Sequence, residues 1–351
     1  MLIFIYFLFV ALLFARPKSK YNYYISFILL YILFAFNTDN ADRSVYESRL
    51  LNYDLMLGYT EPGFTMFMTF MNKFHIELQG LYIIVATFYL GTMCFIIKKL
   101  SNNPGFVLGG YMIFCFFYDV VQVRTTTAFI FVYIAFYFLL KEEKKVAGIS
   151  KFLIFILIAS QFHALALTFS IFCLIRIENK KKMYIIFFAV AVLMFIFQKQ
   201  ITGLFGGAFD IMDKIQEVQE KNANDYEGTN SYAVTIAYLL LIVTPYLVFY
   251  WKSPQKVRSE NLVSDGLHIS LISLLTIPII FMSADFRRIY FAIFPILLLT
   301  MSNYLKFMKD KWMFKSAFII CMFLAYYRSI YFSINFKTVF LAIFENNLLF
   351  D

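Results

Sequence analysis

The chain has 351 residues, 61% of them hydrophobic and only 15% charged, with a net charge of +9 and a mean hydropathy of +0.72. Soluble domains run near half apolar and about a quarter charged, so this composition excludes a water-soluble globule. The basic residues fall in short runs between apolar blocks rather than on one stripe, which argues against nucleic acid as a partner and reads as topology signals.

The apolar blocks are roughly 15 to 24 residues long, the spacing that a bilayer about 30 Å thick imposes on helices. In chain order they predict spans over about 1–15, 21–36, 80–97, 106–118, 124–140, 152–175, 183–198, 231–251, 265–282, 289–304 and 315–333. The fold class is therefore an all-α polytopic membrane protein with about 10 to 12 transmembrane segments. The N-terminal block lacks a basic leader and a small-residue cleavage site, so it reads as a retained first helix. Cys94, Cys115, Cys173 and Cys321 are isolated inside apolar blocks and suggest neither a disulfide nor a metal.

Lys and Arg concentrate in cytoplasmic loops, which places Arg16, Lys18 and Lys20 inside, with Lys98, Lys99, Lys141, Lys144, Lys145 and Lys151. One clean crossing over 152–175 would then put Arg176, Lys180, Lys181 and Lys182 outside. That segment carries Ser160, Gln161 and His163 at its middle, groups that an isolated lipid-facing helix carries only at a cost. A broken or re-entrant hairpin turning near His163 restores the charge rule, and such a break must be buried by protein or line a wet cavity.

With that hairpin the outer loops are about 37–79, 119–124, 199–230 and 283–288. The first reads as an interfacial amphipathic helix with apolar Val45, Leu50, Leu51, Leu55 and Met56, followed by a Pro62-Gly63 break and an apolar stretch too short to span. No repeat or linker divides the chain, so residues 1–351 read as a single membrane domain.

Several residues have the character and place to carry chemistry. Arg124 opens a span at the outer side near Gln122, suited to a phosphate group at the membrane surface, or else to a pair with Asp119. His163 is a base, a hydrogen-bond donor or a pin for the hairpin. Arg287 and Arg288 break the charge rule on an outer turn, which suggests an anionic ligand there, or a pair with Asp285. Asp54 and Glu61 are carboxylates placed to deprotonate a hydroxyl or to bind sugar, or are solvated charges. Asp210, Asp213 and Glu217 read as a solvated face, and Arg328 as a further anion ligand or an acid's partner. Neither a nucleotide-binding loop nor a metalloprotease motif is found, and neither cofactor nor metal is expected.

Three patterns resemble the EpsG family of bacterial polysaccharide-synthesis membrane proteins, and more broadly Wzy-type O-antigen and exopolysaccharide polymerases. Asp54, Tyr59 and Glu61-Pro62-Gly63-Phe64 are similar to a first-loop "YEpGy" pattern. Gln122, Arg124 and Ala128 are similar to "Q-x-R-x-x-x-A". Phe162-His163-Ala164-Leu165-Ala166-Leu167 is similar to "F-H-x-S-A-L", with Leu165 where that pattern has Ser. Arg287 and Arg288 with Tyr290 resemble a further Arg-containing outer loop.

The resemblance implies a GT-C-like glycosyltransferase in the bacterial cytoplasmic membrane, with its site facing the periplasm or outside. Its substrates would be undecaprenyl-diphosphate-linked oligosaccharides, and a chain-length regulator protein would be a partner. Gln122, Arg124, Arg287 and Arg288 would hold the diphosphate, and Glu61, Asp54 or His163 would accept the acceptor's proton. The alternatives are a flippase for the same lipid-linked sugar, whose fold would show paired broken helices, and a membrane acyltransferase modifying surface sugars.

Overall fold

The computed structural model describes residues 1–52, 61–197, 243, 247, 251, 254–258, 261–274, 288–308, 311–326 and 336–350. Helices α1 (Leu2–Ala15), α2 (Lys20–Ala35), α3 (Arg43–Leu51), α4 (Pro62–Lys73), α5 (Leu78–Leu100), α6 (Pro104–Phe114), α7 (Phe116–Val121), α8 (Val123–Lys141), α9 (Lys145–Ser160) and α10 (Lys180–Ile196) make up the first part. α11 (Gln255–Arg258), α12 (Asn261–Ser273), α13 (Arg288–Tyr304), α14 (Lys311–Tyr326) and α15 (Ala342–Glu345) follow. No named strand occurs among the described residues, and the chain is an all-α polytopic membrane protein.

Length and polarity explain the elements. Leu78–Leu100, Val123–Lys141 and Arg288–Phe307 are long and apolar enough to cross a membrane by themselves; the 23 residues of α5 rise about 35 Å and end in Lys98 and Lys99, which complement the helix dipole. Packing then runs in sequence order: α2 against α5, α5 against α8, α8 against α9, with α1, α13 and α14 around α6 and α12 against α13. α6 is buried along its whole length. Rings such as Tyr6, Tyr111, Phe106, Phe116 and Phe117 fill the space at its centre.

The break expected near His163 is present. α9 stops at Ser160, Gln161 and Phe162 turn, His163 is extended, and Ala164–Arg176 returns as a 3-10 helix. Sixteen α-helical residues climb about 24 Å, and thirteen 3-10 residues descend about 26 Å, so the shorter return arm matches the outgoing one. The Arg176 guanidinium accordingly donates to the carbonyls of Leu139 and Glu142 at the end of α8, and Glu178 pairs with Lys145. The chain thus comes back to the end it left. The tip is only partly covered: Gln161 is exposed, Phe162, His163 and Ala164 are half-buried, and Leu165 and Ala166 are buried, as suits non-helical backbone at membrane depth that borders a wet cavity.

The structure adds detail to two of the expected outer segments. α3 forms where the amphipathic helix was expected, with Tyr46 and Leu50 buried and Val45 and Leu51 44% and 71% exposed; Leu55 and Met56 lie outside the described residues. At the expected 119–124 turn, α7 gives way to α8 at Gln122 alone, and Asp119 is buried. The short apolar stretch after Pro62-Gly63 is a helix, α4, closed by His75 in the left-handed region (φ 53°), with Ile76 N–H on the Met71 carbonyl and His75 N–H on that of Asn72.

The 336–350 segment folds over the end of the bundle where α2 stops. Phe344 meets Tyr6 edge-on at 5.3 Å, Phe340 lies 5.0 Å from Phe117, and Asn37 and Asn347 form a bridge. The Asn37 amide donates to the carbonyls of Ala342 and Asn346, and that of Asn347 to Ile32.

Candidate active site

Glu61 is the centre of the arrangement. It precedes α4 in extended backbone, and Pro62 supplies a preset φ at the first helical position. Its side chain does not cap its own helix but reaches the hairpin. Oε1 accepts the Ala164 N–H at 3.0 Å and lies 3.3 Å from His163 Nδ1, while Oε2 accepts from Arg124 Nη1 at 3.1 Å.

The neighbouring residues explain how α4 comes so close. A Cβ on Gly63 would lie 2.8 Å from both the Cβ and the carbonyl oxygen of Gln161, so only glycine admits this approach. Phe64 N–H then bonds the same carbonyl at 3.1 Å. On the other side Phe162 stacks on Phe131 of α8 at 5.1 Å. The hairpin tip is held between α4 and α8.

Burial alone would raise the Glu61 pKa, but the hydrogen bond with His163, the Arg124 charge and the Ala164 N–H outweigh it and hold the carboxyl down at about 2. Glu61 is therefore a carboxylate at any ordinary pH. His163 Nδ1 lies between that carboxylate and the Leu165 N–H, 3.4 Å away. It cannot donate to one and accept from the other. The carboxylate contact is shorter and charge-assisted, which favours a proton on Nδ1. Nε2 is then a bare acceptor, and it is buried with no hydrogen-bond partner.

Cationic groups gather around this pair. The backbone N–H of Arg124, in the first turn of α8, donates to the Tyr46 hydroxyl at 3.2 Å, tying α8 to α3. Arg288 opens α13 and donates from Nη1 to Thr125 Oγ1 at 3.3 Å. Arg49 lies over the Tyr46 ring at 5.9 Å. Gln122 is the residue before α8, half-buried beside Arg124.

The structure thus brings together Glu61, Gln122, Arg124, His163 and Arg288 from segments as far apart as the first loop and α13. Asp119 is not the partner of Arg124: it takes a 2.5 Å hydrogen bond from the Tyr89 hydroxyl, and Glu61 pairs with the arginine instead. Asp54, Tyr59, Asp210, Asp213, Glu217, Asp285, Arg287 and Arg328 lie outside the described residues. Tyr46 and Arg49 escaped the sequence reading as members of the site. The only signal was the i, i+3 spacing of Tyr46 and Arg49 on one amphipathic helix, which any solvated helix shows. Among the described residues no group of three His, Cys, Asp or Glu gathers as metal ligands would.

Chemically the site offers an oriented imidazole beside the guanidinium groups of Arg124 and Arg288. Such a site suits an anion next to a proton to be removed. In comparisons with known proteins, the profile of the EpsG family matches residues 20–341. No curated protein and no solved structure matches the chain.

Proposed function

The chain belongs to the EpsG family, a Wzy-like polymerase family, and from that premise we propose that it lengthens a bacterial surface polysaccharide. The growing glycan would move from undecaprenyl diphosphate onto a hydroxyl of an incoming lipid-linked repeat unit, at the outer face of the cytoplasmic membrane. The observation that supports this reading is the Glu61–His163 pair, with its unpartnered Nε2, set beside Arg124 and Arg288.

In this reading the acceptor oxygen attacks the anomeric carbon of the donor sugar. The bond from that carbon to the diphosphate oxygen breaks, and its electron pair leaves with the diphosphate. The acceptor's proton passes to His163 Nε2 and from there to water. Glu61 is a poor base, because its proton affinity is already spent on three donors, but it is well placed to hold the imidazole in the Nδ1–H tautomer and to stabilise the imidazolium that forms. Arg124 and Arg288, with Arg287 and Gln122, would face the charge growing on the leaving diphosphate, the kind of help worth most where water is excluded. The donor carries its own activation, so the step calls for no nucleotide.

The test is the length of lipid-linked glycan made by purified protein in liposomes supplied with synthetic lipid-diphosphate repeat units. A ladder of products is expected, reduced by about 10²–10³-fold in Arg124→Ala. Movement of the repeat unit between leaflets without any ladder would overturn the reading in favour of a flippase.

A further inference from the structure

We propose that the Tyr46 hydroxyl is a direct hydrogen-bond donor to the lipid diphosphate, held in place by the backbone of Arg124. The inference rests on the function proposed above and deepens it by giving the amphipathic helix of the first outer loop a contact with the leaving group.

The two bonding capacities of this phenol are used unequally. Its oxygen accepts the Arg124 N–H at 3.2 Å, one of the amides that the first turn of α8 cannot satisfy within the helix. Its own proton meets no acceptor among the described residues. Tyr46 is buried, and a buried donor left unmade is costly, so the proton calls for an acceptor on a ligand. Burial, and then the charge of Asp42, raise the phenol pKa above its usual value, while the bond from the Arg124 N–H and the charges of Arg124 and Arg288 oppose that shift. The hydroxyl therefore keeps its proton, within electrostatic reach of both arginines.

The ring has little freedom to turn away. Phe64 of α4 meets it edge-on with centroids 6.4 Å apart, and the Arg49 guanidinium lies 5.9 Å from its centre. Arg124 joins the phenol to the rest of the site, donating from its backbone to Tyr46 and from its side chain to Glu61. An anion drawn to Arg124 comes to the first turn of α8, where the helix dipole favours negative charge, and there it meets the phenolic proton. A diphosphate oxygen only accepts hydrogen bonds, which matches a hydroxyl whose accepting side is already taken.

The test is binding of fluorescent farnesyl diphosphate and fluorescent farnesol to the full chain in nanodiscs. Tyr46→Phe keeps the ring and removes the hydroxyl; it is expected to weaken the diphosphate about tenfold and to leave farnesol unchanged. Tyr46→3-fluorotyrosine has a more acidic hydroxyl, which donates more strongly and accepts more weakly, so it is expected to tighten the diphosphate about twofold. Diphosphate binding by Tyr46→Phe equal to the unsubstituted chain would overturn the proposal. So would weaker diphosphate binding by Tyr46→3-fluorotyrosine, which would make the hydroxyl a brace for the Arg124 backbone alone. An equal loss of both probes, the mark of a damaged fold, would overturn it too. Because binding is read without turnover, failure of the glycan ladder in the unsubstituted chain would remove the polymerase reading alone.

Discussion

Two polar clusters join distant helices, one at each end of the bundle, and they differ in what they leave unused. Where α5, α6 and α13 meet, Asn303 accepts from the backbone and side chain of Asn102 and donates to the carbonyls of Leu100 and Leu299. Asn103 donates to the Ser302 carbonyl, and Ser101 and Ser302 share a hydrogen bond. All of these groups are neutral, and none leaves a buried polar atom without a partner. The cluster around Glu61 is charged and leaves a buried imidazole nitrogen open. Satisfied polar networks rigidify a fold; an unsatisfied one stores a capacity for binding or proton transfer. Polarity inside a membrane bundle therefore points to function only where the hydrogen-bond count fails to close.

The sharpest way to break this contrast is His163→Gln, which keeps a polar side chain but removes the base. Turnover in the liposome assay is expected to fall by about 10²–10⁴-fold while farnesyl diphosphate binding holds. Turnover within a few-fold of the unsubstituted chain would mean that the open nitrogen has no part in the chemistry.

A smaller effect, about 10²-fold on turnover, is expected for Glu61→Gln, which loosens the imidazole without removing it. Stability gives an independent check. The folded Glu61 pKa of about 2 lies below the ordinary value of 4.5, so its contribution is fully present above about pH 4.5 and is lost as pH falls toward 2. The melting-temperature gap between the unsubstituted chain and Glu61→Gln should narrow through that window. A gap that stays constant would show that the carboxylate charge is not what holds the tip.

The smallest catalytic effect belongs to the other end. Asn303→Ala leaves the groups it served without partners, at a cost of about 1–3 kcal/mol in stability. Turnover per folded molecule should stay within about twofold of the unsubstituted chain. A large fall in turnover at unchanged stability would erase the distinction between the two clusters.

Much of this was legible before any coordinates. Hydropathy locates α1, α2, α5, α8, α10 and α13 because the bilayer sets both their length and their polarity, two constraints that act residue by residue. The turn at His163 was legible because Lys151 and Arg176 demanded the same side. What stayed hidden depends on partners distant in sequence. The inward face of α3 is decided by Tyr46 meeting α8, and hydrophobicity ranks Val45 above it. Arg124 looked suited to Asp119, five residues away, but Tyr89 of α5 claims that acid and Glu61 of the first loop claims the arginine. Gly63 looked like a turn residue, and its reason is the backbone of the distant hairpin turn at Gln161.

The contact between Asn37 and the 342–347 segment spans some three hundred residues, and that separation sets an order of events during synthesis. Residues 37–61 carry Tyr46, Arg49 and Glu61, but the carbonyls that hold Asn37 are made only after the rest of the bundle has entered the membrane. Arg43, which bonds the Asn37 carbonyl, waits on the same event. The first loop to emerge is thus among the last parts to be fixed, and a nascent chain halted before residue 346 lacks the clasp that anchors the base of that loop.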